Sequence, residues 1–219
     1  MSQKNNIQRT YRFWATIYDL AHHLQTLWRD SNYRLMVAKA VNLQAGDKVL
    51  DISTGTGLTG LAELLEERKI YVIGIDITYA MLQKAQANIN SIGLTQNFVL
   101  INGDIEQLPY ADNSFDVILS TYGIGGIDNR DAAFKEIVRV AKPNARIAAI
   151  EMCTPPESEG LKRNIHNYFV HPWIKLFWSF RDTDLNGLFQ RYTISISGTE
   201  YLEELIFGSS ILVYGRINK

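Results

Sequence analysis

Between Lys48 and Met152 the chain alternates short runs that are apolar at nearly every position with longer runs whose apolar residues recur at helical spacing. KVLDIS, IYVIGIDI, NFVLING, FDVILST and ARIAAIEM read as buried strands, and LTGLAELLEERK, YAMLQKAQANINSIG and RDAAFKEIVRVA as the helices between them. Thr78 is placed to cap the second of these helices and Gly93 to stop it, and the KPNA turn predicts a break before the fifth strand. Strands apolar on both faces and separated by helices predict a parallel sheet covered on both sides. Right-handed crossovers then make it doubly wound. Near the C-terminus, RYTISIS and SSILVYGRI lie too close for a helical crossover, so they predict an antiparallel pair. The expected architecture is α/β: a doubly wound, mostly parallel seven-stranded sheet ending in an antiparallel edge hairpin.

The 219 residues suit one domain with a sizeable core. Its expected parts are an N-terminal helical cover (1–46), a cofactor-binding core (47–152), an acceptor lid region (153–191) and the edge hairpin (192–219). A formal net charge of -1 supplies no global basic field, and no basic patch carries interleaved stacking residues, so nucleic acid is not an expected partner. The single cysteine, Cys153, excludes an internal disulfide and a paired-cysteine metal site, and reads as a packing residue. No run reaches the roughly 20 apolar residues that span a bilayer. The expectation is a cytoplasmic protein without a metal.

The chemistry concentrates in VLDISTGTGLTGL, which holds Gly55, Gly57 and Gly60 in a G-x-G-x-x-G string between strand and helix. In doubly wound sheets ligands lie beyond the carboxyl ends of the strands, where such a turn lets backbone approach them. Asp76 ends the next strand, with Ile77 beside it, and a carboxylate there can accept both ribose hydroxyls of an adenosine. To this point a nicotinamide dinucleotide and S-adenosylmethionine are equally served. Asp51, at the end of the first strand, would welcome an amino-acid ammonium and repel a pyrophosphate. Asp104, just past the third strand, is in reach of an adenine amino group, and Ile105 can cover the ring. Ser53 and Thr54 keep the turn small. The ordered set Asp51, Gly55, Gly57, Asp76, Asp104 favours S-adenosylmethionine.

These segments, with YDL…LWR (Tyr18 to Arg29), GDIEQLPYADNSFDVI, STYGIGGI, RVAKPNARI and IEMCTPP, resemble the class I S-adenosylmethionine-dependent methyltransferases. Within that class the chain resembles the ubiquinone/menaquinone-biosynthesis C-methyltransferase family, over about Tyr18 to Pro155. The resemblance implies that Thr56, Asp76, Asp104, Ile105 and Thr121 contact the cofactor, and that the N-terminal segment folds over it. The family carries a further glycine where this chain has Thr54, and Arg-Asn where it has Gly125-Gly126, in the region facing the acceptor.

Transfer from a sulfonium needs alignment and dryness more than acid–base help. Tyr18 and Tyr122 are the aromatic residues expected near the sulfonium. A base is required only where the acceptor must lose a proton; His23, His166, His171 and Tyr122 are the weak catalytic candidates, and His22 has no better claim. Asp112 and Asp116 read as turn and strand-entry residues, while Glu151 stands evenly between acceptor site and structural acid. The aromatic stretch 164–182 is expected to wall off a hydrophobic, lipid-like acceptor, with peripheral membrane contact as its extension. The competing readings are a nicotinamide-dependent oxidoreductase and a non-catalytic cofactor-binding protein of the same fold.

Overall fold

A computed structural model describes residues 8, 9, 11, 12, 30–153, 160–165, 167, 168, 183–192, 194–203 and 209–219. Its elements run α1 (Asp30–Ala40), β1 (Lys48–Ile52), α2 (Leu58–Glu66), β2 (Tyr71–Asp76), α3 (Tyr79–Ile92), β3 (Phe98–Asn102), β4 (Phe115–Thr121), a 3₁₀ turn (Ile124–Gly126), α4 (Arg130–Val140), β5 (Ala141–Cys153), α5 (Gly160–Ile165), α6 (Leu185–Arg191), β6 (Ile194–Glu203) and β7 (Ser209–Ile217). The strands form one seven-stranded sheet in the order β3-β2-β1-β4-β5-β7-β6. β1 to β5 are mutually parallel, while β7 runs antiparallel to both β5 and β6. The predicted hairpin is present, with β7 inserted against β5 and β6 left as the edge.

Strand alternation assigns each face its core. Leu50 and Ile52 point to the layer of Phe115, Phe134, Ile137 and Phe189, which α4 and α6 cover. Val49 points the other way, toward Val37, Leu61, Leu64, Val72 and Ile89, contributed by α1, α2, β2 and α3. Burying both faces explains why the strands are apolar at nearly every position.

Gly60 shows how closely the second layer packs. A Cβ there would lie 2.4 Å from Phe98 Cζ and 2.9 Å from Val72 Cγ1. This third glycine of the string lets α2 settle on β2 and β3. Gly60→Ala is expected to lower stability by about 1–3 kcal/mol through overpacking. Urea unfolding measures it, and an unchanged midpoint would refute the packing role.

Two expectations need correction in detail. Thr78 is the N-cap residue of α3, yet its side chain makes no capping bond; Thr78 N–H instead donates to Asp76 Oδ1 at 2.8 Å. The KPNA segment does not end a helix-to-strand connection but lies inside β5. Ala141 pairs with Phe115 and Arg146 with Val117, so Lys142 to Ala145 bulge opposite Asp116. Pro143 has no N–H for the ladder, Asn144 takes a φ of 61°, and Lys142 Nζ bonds Asp116 Oδ1 at 2.7 Å. Gly93 does stop α3, at φ 74°, its N–H donating to Ile89 O and Asn90 O.

Candidate functional site

The strand order reverses between β1 and β4, and a cavity opens at their carboxyl ends, as expected for a doubly wound sheet. Its floor is the turn joining β1 to α2. Ser53, Gly55 and Gly57 take φ values of 53°, 55° and 76°, which fold the chain back sharply. For glycine that conformation costs little. Thr54 N–H donates to Ile75 O at 3.0 Å and Gly57 N–H to Thr54 O at 2.9 Å, fastening the turn to β2 and to itself.

Asp76 organises this end of the cavity. Its Oδ2 accepts from Gly55 N–H at 2.9 Å while its Oδ1 accepts from Thr78 N–H, so one carboxylate joins the glycine turn to the start of α3. Asn102 Nδ2 donates to Asp76 O at 2.9 Å and brings the end of β3 alongside. Burial pushes the Asp76 carboxyl up, against the two backbone N–H bonds. Beyond β3, Asp104 Oδ1 accepts from Glu106 N–H at 2.9 Å. Glu106 Oε1 in turn accepts from Asn129 N–H at 3.0 Å, closing this loop onto the one that precedes α4.

β4 supplies the opposite wall. Thr121 Oγ1 is hydrogen-bonded to Thr59 Oγ1, and Thr59 Oγ1 accepts from Arg34 Nη1 at 2.5 Å. Tyr122 has a φ of 55°, unusual for a bulky residue, and its buried hydroxyl accepts from Ser210 Oγ at 3.2 Å. The following turn is held from beneath: Ile124 N–H donates to Glu151 Oε1 at 2.6 Å. Glu151 is wholly buried at the end of β5, and burial pushes its carboxyl up to about 8 despite the N–H groups of Ile124, Gly125 and Gly123 around it.

Of the residues singled out in the sequence, Ser53, Gly55, Thr56, Asp76, Ile77, Asp104, Ile105, Thr121 and Tyr122 all line this one cavity. Asp51 and Gly57 do not. Asp51 is fully buried behind the wall, its Oδ2 accepting from Thr54 Oγ1 at 2.6 Å, and burial pushes its carboxyl up to about 7. Tyr18, His22, His23, His166 and His171 lie outside the described residues, as does most of 164–182. Arg34, Met81, Glu106 and Asp128 line the cavity without having been expected. Glu106 stood within the quoted GDIEQLPY, but nothing local marked Arg34, which arrives by the docking of α1.

The charge of the lining discriminates between ligands. Among the described residues of the lining, Asp76, Asp104, Glu106 and Asp128 face one basic residue, Arg34. An acidic wall suits a cationic ligand and opposes a pyrophosphate. The donor set also fits an adenosine carrying an amino-acid tail. A carboxylate stands at the end of β2, a second carboxylate and an apolar side chain follow β3, and the backbone is tightly turned below. Among the described residues no three metal-ligating side chains are grouped so that they could hold a metal ion.

Comparison with known proteins agrees with this geometry. A methyltransferase domain family model matches residues 43–178, more than half of the chain. A demethylmenaquinone methyltransferase of Lactobacillus johnsonii is 32% identical over 76% of this chain and 66% of its own length. The chain spans less than two thirds of the length of several such curated relatives. Among solved structures, the [4+2]-cyclase SpnF superposes with a TM-score of 0.76 at 15% identity, over 97% of this chain and 96% of the other. A geranyl diphosphate methyltransferase in complex with SAM does so with a TM-score of 0.71 at 10% identity, over 85% and 84%. At those identities the superpositions speak to fold, and the family rests on the sequence match. The chain therefore belongs to the methyltransferase domain family, with the Rossmann-like fold of S-adenosylmethionine-dependent methyltransferases.

Proposed function

We propose that this protein transfers a methyl group from S-adenosylmethionine to a small hydrophobic acceptor, a quinol-type ring or a lipid-like molecule. One observation carries the reading: a single cavity at the reversal of strand order gathers Asp76, Asp104, Ile105 and Thr121 above a glycine turn, with four acids to one base among the described residues of its lining. The acceptor class is supported by the demethylmenaquinone methyltransferases among the relatives.

When bound, the cofactor supplies an activated methyl on a positively charged sulfur. The protein's part is binding and alignment. Asp76 would accept the ribose hydroxyls, Asp104 the adenine amino group, and Ile77 and Ile105 would cover the ring. Thr56, Ser53 and the Gly55–Gly57 backbone would hold the amino-acid half, with Asp51 lending negative charge from below. Thr121 and Tyr122 stand where acceptor and cofactor would meet, with Tyr18 as a second aromatic residue. The hydroxyl of Tyr122 is engaged by Ser210, which suits a shaping role better than that of a base. Should the acceptor lose a proton, His23, His166 and His171 are the side chains to test.

The domain reading is part of the proposal. The 1–46 segment acts as a cover, and α1 already brings Arg34 to the cavity wall. The 153–191 segment acts as the acceptor lid, with membrane-surface contact through 164–182. No helix among the described residues is long and apolar enough to cross a membrane.

Calorimetric titration with S-adenosylhomocysteine, with NAD in parallel, tests the cofactor. Binding of the former alone is the expected result, and binding of NAD alone would replace the reading with an oxidoreductase. Demethylated naphthoquinols, presented free and in liposomes, then test the acceptor. A protein that binds cofactor yet methylates none of a broad panel would be a cofactor-binding protein of this fold.

A further inference from the structure

Glu151 lies at the end of β5, beneath the turn that follows β4, and takes no part in the chemistry proposed above. It is wholly buried, and its Oε2 has no hydrogen-bond partner among the described residues. Its Oε1 accepts from Ile124 N–H at 2.6 Å, and the N–H groups of Gly123 and Gly125 bear on the same carboxyl. Successive N–H groups that converge on one acceptor make an anion-binding nest, filled here by the protein's own side chain. The other polar groups of the turn are engaged too. Gly126 N–H donates to Gly123 O at 3.3 Å, Ile127 N–H to Ile124 O at 3.1 Å, and Arg130 Nη2 to Gly125 O at 3.2 Å. Every backbone N–H from Gly123 to Ile127 is therefore held within the protein.

This bonding decides what a ligand in the cavity meets. Ile124 and Gly125 are buried behind the wall, while Gly123, Gly126 and Ile127 line it. With their N–H groups engaged elsewhere, these three residues offer Cα–H and aliphatic surface, and two of them carry no side chain. At Gly123 none would fit, because a Cβ there would collide with Ser53 Cβ. The face is thus set directly against the turn between β1 and α2. We propose that Glu151 is a positioning residue for the acceptor: by drawing the N–H groups of the turn inward, it keeps a flat, apolar face beside the cofactor, suited to a planar hydrophobic ring. This deepens the methyltransferase reading of the cavity and rests on it. N–H groups facing the cavity would bring water with them, and methyl transfer needs a dry site. Burial pushes the Glu151 carboxyl up to about 8, so near neutral pH an uncharged acid holds the turn through its accepting oxygen. Glutamine reproduces that oxygen, and leucine removes it.

The test uses the full chain with a demethylated naphthoquinol as acceptor, in wild type, Glu151→Gln and Glu151→Leu, each checked by its circular dichroism melt. Glu151→Leu is expected to raise the acceptor KM about tenfold, while kcat and the affinity for S-adenosylhomocysteine stay within about twofold of wild type. Glu151→Gln should bring KM back to within about threefold. Amide NMR of the wild type saturated with S-adenosylhomocysteine needs no variant: the naphthoquinol should shift Gly123, Gly126 and Ile127. An unchanged KM in Glu151→Leu, a KM that Glu151→Gln does not rescue, or a loss of S-adenosylhomocysteine affinity as large as the rise in KM would overturn the proposal. So would naphthoquinol shifts that miss the turn. Each of these results leaves the methyltransferase reading intact. A wild type that binds S-adenosylhomocysteine and neither binds nor methylates the naphthoquinol would overturn the quinol acceptor and the proposal together. If S-adenosylhomocysteine does not bind folded protein, the methyltransferase reading falls as well.

Discussion

Asp76→Asn is expected to weaken S-adenosylhomocysteine binding about 100-fold, equivalent to about 3 kcal/mol. The wild-type carboxylate accepts Gly55 N–H on one oxygen and Thr78 N–H on the other, at 2.9 and 2.8 Å. An asparagine offers one acceptor and one donor to the same two N–H groups, so one backbone donor must turn away. The turn and the start of α3 then lose their common anchor, in addition to the charge that would receive the ribose. Hydrogen bonds to a charged acceptor contribute about 1.5–3 kcal/mol each, which sets the expected scale. Calorimetry gives the affinity, and the circular dichroism melt shows whether the fold survives. An affinity within about threefold of wild type would remove Asp76 from the site.

Stability is expected to fall as pH rises from about 5 to about 8, the reverse of a protein held by surface carboxylates. The sign follows from three buried acids. Burial pushes Asp51 up to about 7 and Glu151 up to about 8, and it raises Glu63 as well. A group raised in the folded state contributes most below its unfolded value, near 4. That contribution is lost as pH climbs through the folded value. Each unit of difference corresponds to about 1.4 kcal/mol, so Asp51 and Glu151 together amount to several kcal/mol across the window, and Glu63 acts in the same direction. Glu136 acts in the opposite sense, since the Arg139 guanidinium holds it below its usual value, and its contribution disappears only as pH drops into the acid range. The optimum should therefore lie near pH 5. Urea unfolding across this range measures it, and Glu63→Leu should raise stability at pH 8 by about 1–3 kcal/mol by removing a buried, unpartnered acid. A flat profile, with Glu63→Leu destabilising at every pH, would show that these carboxyls find partners in solution.

The same arrangement explains why a destabilising residue would persist. Asp51 and Glu63 are as fully buried as the core around them, positions where an apolar side chain would be more stable. Such a cost next to a cavity is the usual mark of a functional constraint.

Several features follow from local sequence alone. Apolar runs alternating with helical periodicity demand a two-faced parallel sheet, and the closeness of RYTISIS to SSILVYGRI leaves antiparallel pairing as their arrangement. Gly93 ends α3 because a left-handed residue is needed there. The glycine turn, Asp76 and Asp104 were legible because each sits at a strand's carboxyl end, where the fold itself dictates the position of a ligand. Other features depend on residues far apart in the chain. Arg34 reaches the cavity only because α1 docks against α2, bringing its guanidinium to Thr59. Glu63 looks like an ordinary helix acid until packing buries that face of α2. Asp51 stood out as an acid at a strand's carboxyl end, but its place behind Thr54 rather than in the wall depends on how the turn folds back. The bulge in β5 looked like a chain break because proline and asparagine signal turns, and only pairing with β4 carries the strand through it. By itself, then, the sequence determined the layers, the strand ends and the acids placed there, since periodicity and backbone sterics act over a few residues. Which charges meet, and which are cut off from water, was decided only by tertiary packing, because burial and electrostatic coupling belong to neighbours in space.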